Sequence, residues 1–427
     1  MVGKARAVHG AEGCRAGPPG ASPGAGWVAP PDRDRRAPRC VRLDHVARPY
    51  HAVLVPGFFG FANLGDFAYF GHVVELISDI GPRFGLDGEV IVVRTDPTSS
   101  LLRRAAILTE TVSALLDRSG GEVAILAHSS GGLDARLMLS PGVSLPTSAD
   151  VERCARSARA LVTVATPHYG TPLADLFNSL LGQNLLRILS LATIYTLRSG
   201  RLPISVVLRL ARLLRGRGAR PAGVIDQLYL ELLGDFSSAR RRVVEDFLNH
   251  VFTDQDLVPQ IAPASMDLFN ASTRNRPGVR YGCVVTQARR PGLRSLARAG
   301  LDPYAQASHA LFVVLYRLSS GMPRDRRPRV TMEHADVLRR TFGRIPDEAA
   351  NDGIVPSLSQ VWGDLVAGAW ADHHDVIGHF HLPTHVPPHF DWLASGSGFN
   401  RVHFEALWRD MVAYAGGARF QGPREVP

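Results

Sequence analysis

The segment Val123-Ala124-Ile125-Leu126-Ala127-His128-Ser129-Ser130-Gly131-Gly132 constrains the fold of this chain more than any other. Five apolar residues without alternation predict a strand buried on both faces, since a strand with one wet face would alternate. The run breaks at His-Ser-Ser-Gly-Gly and passes directly into a helix-forming stretch. A serine on such a strand-to-helix turn is held in a strained conformation with its Oγ raised above the sheet. Ala127 and Gly131, two residues either side of Ser129, are small enough for strand and helix to pack closely there. The helix N-terminus behind the turn, with the Ser130 N–H, can stabilise a developing oxyanion. The usual pattern is G-x-S-x-G, and Ala127 replaces the first glycine. Taken alone, the segment also fits an ordinary glycine-rich turn.

The same grammar recurs along the chain. His51 to Val55 is an apolar run ended by Pro56-Gly57, Glu89 to Val93 is a second, and Ala160 to Ala165 is another, stopped by Pro167. Helices are predicted from Tyr69 to Ile80 and from Leu101 to Leu116. Strands alternating with helices of this length predict a mainly parallel sheet covered on both faces. From Leu176 to about His250 the strands stop. Ile204, Val207, Leu208, Ala211 and Leu214 follow helical spacing there, with Arg209, Arg212 and Arg215 on another face. Strand character returns at Val279 to Val285, followed by a helical stretch at Leu311 to Arg317. No internal repeat is found.

Composition narrows the class. The 427 residues are 45% hydrophobic, too apolar for a disordered chain. No stretch reaches the roughly 18 uninterrupted apolar residues of a spanning helix, so a soluble globular protein is expected. The net charge of +9 is uneven: residues 1–48 carry a net +5 and residues 183–220 hold eight arginines and no acid. The remainder is therefore net acidic, which argues against nucleic-acid binding by a basic face. Lys4 is the sole lysine, a bias that carries no function. Cys14, Cys40, Cys154 and Cys283 lie far apart and imply neither zinc nor a disulfide core. Residues 1–47, rich in Gly, Pro, Ala and Arg and lacking an apolar signal core, are read as a disordered leader or an over-extended start site. The cytoplasm is the default location.

A nucleophilic serine needs an oxyanion donor from the loop after an early strand. Val55-Pro56-Gly57-Phe58-Phe59-Gly60-Phe61 is that loop; Gly57 frees the turn and the Phe58 N–H is the expected donor. The phenylalanines equally fit core packing or the lining of an acyl pocket. VLVPGFFGF, LAHSSGGLDAR (Leu126 to Arg136) and VATPHYGT (Val164 to Thr171) stand in one collinear order. With these segments, and with Asn351-Asp352-Gly353-Ile354-Val355 and Asp372-His373-His374-Asp375-Val376 further on, the chain resembles the bacterial triacylglycerol lipases of the α/β-hydrolase superfamily. Pro56 stands where that family usually has His. The resemblance runs from about residue 50 to 390, interrupted by the basic helical insert.

The resemblance implies an α/β-hydrolase fold over residues 48–427, with a helical lid or cap at about 176–250. It implies a triad of Ser129, His373 and Asp352, the acid standing after a sixth strand and His373 following it by 21 residues. Two alternatives stay open: Asp256, in Thr253-Asp254-Gln255-Asp256-Leu257-Val258-Pro259, as the acid, and His374 as the base. It also implies a structural calcium that pins the histidine loop, with Asp375 and the Asp302 of Leu301-Asp302-Pro303 among its ligands. Asp302 alternatively caps the helix starting at Pro303. No cofactor is required for the chemistry. His379, His381, His385 and His389 are read as surface or loop residues. The expected activity is hydrolysis of lipid esters; the alternatives are a short-chain carboxylesterase, a phospholipase, an acyltransferase, or a silent relative that binds lipid or a partner. The arginine-rich 183–220 segment has the composition of a helix lying on an anionic lipid or lipid-droplet surface, or of a basic cap bound through its apolar face.

Overall fold

The computed structural model describes residues 48–58, 69–96, 98–177, 203–215, 222–235, 237–238, 241–242, 244–245, 254–322 and 324–417. The leader at 1–47, Phe59, Phe61 and most of the 183–220 segment lie outside them. Six strands, β1 (Tyr50–Val55), β2 (Val90–Val92), β3 (Glu122–His128), β4 (Ala158–Val164), β5 (Arg280–Gln287) and β6 (Asp364–Trp370), form one sheet. Its order is β2-β1-β3-β4-β5-β6, and every neighbouring pair is parallel. The helices that matter below are α1 (Gly71–Ile80), α2 (Leu101–Ser119), α3 (Gly131–Leu139), α4 (Ile204–Arg215), α5 (Ala222–Gly234), α6 (Pro303–Leu318), α7 (Met332–Phe342) and α8 (Arg401–Ala415).

The apolar runs lack alternation because both faces of the sheet are covered. Along β1, Ala52 and Leu54 pack with α1 and α8, while Val53 and Val55 pack with α2 and α3. At the far edge Cys283, Val285 and Leu365 meet α7. Each such buried Val or Leu contributes about 1.5–3 kcal/mol. This arrangement is the expected α/β-hydrolase fold. The strand β6 was not visible in the sequence pattern, because the Ala-Gly-Ala within Asp364–Trp370 lacks the branched residues that mark a strand. The acid segment at Asp352 consequently stands between β5 and β6, rather than after the sixth strand of the sheet. Cys154 and Cys283 are buried free thiols.

The insert corrects one helical face. In α4, Val206, Val207 and Leu210 are buried against Leu311, Phe312 and Leu315 of α6, whereas Ile204 and Leu208 are 40% and 46% exposed. Ile204-Ser205-Val206-Val207-Leu208 is apolar at four of five positions, so periodicity alone could not choose between two adjacent stripes. The partner helix makes the choice. Arg209, on the polar side, pairs with Glu231 of α5 at 2.9 Å. No helix among the described residues is long and apolar enough to cross a membrane.

Candidate active site

Strand order reverses between β1 and β3, and the crevice beyond the carboxyl ends of strands at such a switch point is where sheets of this kind bind ligands. Ser129 leaves β3 at that point with φ +55°; with Ala165 it is one of two non-glycine residues at positive φ among the described residues. Its N–H donates to the Val164 carbonyl at 2.9 Å, tying the turn to β4. A left-handed serine costs about 1–3 kcal/mol and persists only where the surroundings over-determine it. They do so here. A Cβ added to Gly131 would lie 2.5 Å from the Val55 carbonyl oxygen and 2.6 Å from that of Pro56, so only glycine lets α3 approach β1. A Cβ on Gly57 would meet the Ser129 Cβ at 2.4 Å, which places the start of the Phe58 loop directly against the serine. Ser130 stands at the N-terminus of α3 without a side-chain capping bond, where the first N–H groups of a helix lack intrahelical partners.

The structure brings Ser129, His373 and Asp352 together. Ser129 Oγ lies 3.0 Å from His373 Nε2, and His373 Nδ1 lies 2.9 Å from Asp352 Oδ2. A carboxylate only accepts, so Nδ1 carries the proton and the Nε2 lone pair faces the serine hydroxyl. Asp352 is fully buried, yet both oxygens are satisfied. Oδ1 accepts from the Ile354 and Val355 N–H groups at 3.0 and 2.7 Å, and Oδ2 also accepts from Thr286 Oγ1 at 2.7 Å and Gln360 Nε2 at 3.2 Å. The turn that presents it is held by Asn351, whose side chain bonds the Tyr316 carbonyl and the Gly353 N–H. Ser129 and His373 are 6% and 4% exposed, so the relay sits just under the surface of the crevice.

Asp256 is exposed at the start of a short helix and takes no part in this relay. His374 packs its ring against Trp392 and leaves Nδ1 buried without a partner. Successive residues of the loop therefore point in different directions, and His373 is the one that faces Ser129.

Sequence reading missed the groups that hold this constellation. Arg104 and Asp134 form a fully buried ion pair at 2.8 Å, and Arg104 also donates to the Pro56 carbonyl at 2.8 Å. Burial pushes the Asp134 carboxyl up to about 6, while Arg104 pulls it back. The pair thus ties α2 and α3 to the loop carrying Phe58. Its signal was an arginine inside the apolar Leu101-Leu102-Arg103-Arg104-Ala105-Ala106. His128 bonds the His373 carbonyl through Nε2 at 2.9 Å and Tyr69 through Nδ1 at 2.6 Å. Since a carbonyl only accepts, Nε2–H donates to it and the Tyr69 hydroxyl donates to Nδ1. Burial, and then His373, hold the His128 imidazole well below its ordinary range and keep it neutral. His168 is likewise buried and neutral, bonded to Thr163 and Arg136, and Arg136 lies 3.4 Å from the Trp362 ring centre. These motif residues brace the scaffold.

Asp302 and Asp375 line one cleft of about 530 Å³, together with Asp391. Asp302 is exposed and its Oδ2 caps α6 by accepting from the Ala305 N–H at 3.1 Å. Asp375 is buried and accepts from the Asp372 N–H and the Ser397 hydroxyl. Burial, followed by Asp372 and Asp391, pushes its carboxyl well above the usual range, and Asp391 is raised in the same way. Asp391 Oδ1 is enclosed without a partner. No arginine or lysine pairs with Asp372, Asp375 or Asp391 among the described residues. Among the described residues no three carboxylates converge at ligand distance there, so a hard cation in this cleft would need backbone or water oxygens beside Asp375 and Asp391. His379 and His389 are loop residues as expected, but buried ones, His379 stacking on Trp392 at 3.7 Å, because the loop folds back under α1 and α8. His381 is exposed as expected.

No protein-family model matches the chain, and no curated protein matches it. Among solved structures it is similar to EstA from Clostridium botulinum (16% identity, 88% of each chain, TM-score 0.48). It is also similar to lipase 1 from Pelosinus fermentans (16% identity, 86% of this chain and 99% of that one, TM-score 0.47). A metagenomic carboxyl esterase gives 18% identity over 87% of this chain and 76% of that one, at TM-score 0.43.

Proposed function

We propose that this chain is a carboxylic ester hydrolase acting on lipid esters. The observation that carries the reading is the relay from Ser129 Oγ to His373 Nε2 to Asp352, built on a serine forced to positive φ at a strand-to-helix turn. Ser129 Oγ attacks the ester carbonyl while His373 Nε2 takes its proton. The same nitrogen then protonates the leaving alcohol and later activates the water that releases the acid. Asp352 holds the tautomer and stabilises the imidazolium. The main-chain N–H groups of Phe58 and Ser130 receive the oxyanion; removing one such donor costs about 10²–10³ in turnover.

The lipid part of the reading rests on the walls. Phe58 and Ile354, which flank the relay, pack against the apolar cluster that also takes Leu173, Phe177, Val206, Leu210 and Leu311. An acyl chain beside Ser129 would therefore run along the face that the insert covers. The arginines of 183–220 would face an anionic lipid surface, a contact that liposome co-sedimentation should detect even in Ser129→Ala. Asp375 and Asp391, with Asp302 at the rim, would hold a calcium ion whose charge braces the loop after His373. It takes no part in the reaction proposed here.

The test is turnover of p-nitrophenyl esters from acetyl to palmitoyl, beside Ser129→Ala. Activity that rises towards long chains and vanishes in the variant is expected. Ser129-dependent activity confined to short chains would replace lipid esters with small carboxylic esters. No Ser129-dependent turnover on any ester would overturn the reading and favour a lipid- or partner-binding role.

A further inference from the structure

The apolar cluster beside the relay reaches the surface along one segment. Ala288, just past the carboxyl end of β5, belongs to the cluster that takes Phe58 and Ile354, and Tyr304 of α6 packs against it. Between these two anchors the chain forms a short helix, Leu293–Arg298. One face of that helix is fixed. Ser295 is buried with its Oγ 3.3 Å from His309 Nε2 of α6, and a Cβ on Gly396 would lie 2.4 Å from the Ser295 carbonyl oxygen. The segment therefore stands at the same end of the sheet as Ser129, with its outer face turned to solvent.

That outer face carries side chains the fold does not use. Leu293, Leu296 and Leu301 are 86%, 37% and 96% exposed. From Arg289 to Leu301 the sequence holds four arginines and no acid. Arg290 pairs with Asp347, whereas the exposed Arg294 and Arg298 meet no carboxylate among the described residues. Arg298 stands close enough to Arg289 for their like charges to oppose each other. Single exposed leucines are ordinary, but here three are interleaved with unanswered arginines. Arg298 and Leu301 share the mouth of the 530 Å³ cleft with Phe390, itself 38% exposed, so the apolar and cationic groups continue across it. The acids of the cleft do not cancel this charge: the carboxyls of Asp375 and Asp391 are raised, and Asp302 is engaged in capping α6.

We propose that the Leu293–Leu301 surface docks on an anionic phospholipid bilayer. Leu293, Leu296, Leu301 and Phe390 enter the boundary between headgroups and acyl chains, and Arg294 and Arg298 meet the lipid phosphates. Leucines beside arginines are the composition that lies in a membrane interface, and the planar guanidinium fork suits phosphate oxygens. Charge complementarity selects this occupant, since an apolar partner would leave Arg294 and Arg298 unanswered and an acidic one would leave the leucines wet. Docking in this way turns the end of the sheet that carries Ser129 towards the leaflet. The surface is separate from the 183–220 segment, and its binding needs no turnover, so it stands or falls independently of the hydrolase reading.

The experiment uses the full chain carrying Ser129→Ala, so that no lipid is hydrolysed, sedimented with vesicles of equal parts phosphatidylcholine and phosphatidylglycerol. This parent should bind, and should bind at least about tenfold more weakly to phosphatidylcholine alone. Leu293→Asp with Leu301→Asp, and separately Arg294→Gln with Arg298→Gln, should each weaken binding to the mixed vesicles by at least about tenfold. Leu301→Trp should add a tryptophan that brominated acyl chains quench. With Ser129 restored, the same variants should turn over soluble p-nitrophenyl butyrate like wild type, which separates lost docking from a lost fold or a failed hydrolase reading. A parent that does not bind the mixed vesicles, or binds phosphatidylcholine alone as well, would overturn the proposal. So would paired variants that bind like the parent, which would assign the contact to 183–220, or a tryptophan at 301 that brominated chains fail to quench.

Discussion

The elbow and the loop behind His373 lie side by side and are built on opposite terms. At the elbow every charge is answered within the chain: Arg104 meets Asp134, and Asp352 meets His373, Thr286, Gln360 and two backbone N–H groups. In the loop, the carboxyls of Asp375 and Asp391 are raised with no basic partner described, and nitrogens of His72, His374 and His379 are buried without partners. A buried ion pair completes itself, whereas buried carboxyls without a basic partner are neutralised either by a proton or by a bound cation. The difference teaches that the elbow is complete within the chain, whereas the loop's carboxyls need a proton or a cation from outside it.

The contrast can be broken from the elbow side first. Ser129→Ala should lower ester turnover by about 10⁶ and leave the melting curve at wild-type position or above, because it empties only the nucleophile. Asp352→Asn, which spoils the tautomer but not the shape, should cost about 10⁴. Single-turnover rates unchanged in Asp352→Asn would mean that His373 does not depend on Asp352. Arg104→Leu strands the Asp134 carboxylate and should destabilise the fold by about 3–5 kcal/mol in denaturant titration, with or without divalent ions. From the loop side, calcium at a hundred times its dissociation constant should stabilise wild type by about 2.7 kcal/mol, and Asp391→Asn by less. A melting temperature indifferent to chelators would make the loop as self-contained as the elbow.

The smallest effect is on pH. His128 and His168 are buried and held well below their ordinary range, so between there and about 6.5 the unfolded chain binds more protons than the folded one. Their stabilising contribution is full above about pH 6.5 and declines as pH falls, by about 1.4 kcal/mol per unit for each group. Replacing His128 with Gln should flatten the pH dependence of unfolding, and a slope unchanged in that variant would assign it elsewhere.

How much of this was legible varied with how local the physics is. Ser129 was readable because one strand, one turn and one helix are contiguous in the chain, and five of the six strands declared themselves as apolar runs. The spacing of Asp352 and His373 was readable only by resemblance, since nothing local distinguishes Asp352 from Asp256; tertiary structure does, by burying one and exposing the other. The Arg104–Asp134 pair, 30 residues apart, left no pattern beyond an arginine in an apolar helix. β6 was hidden by its small residues, and the buried face of α4 by an apolar run that fits two stripes.

The central claim is that Ser129 is an activated nucleophile. Treatment of the native chain with a long-chain alkyl fluorophosphonate, followed by peptide mass mapping, tests it most directly. One adduct per chain on Ser129, formed far more slowly in His373→Ala and absent in Ser129→Ala, is the predicted result. A folded wild-type chain that takes no label, or carries it on another residue, would contradict the account.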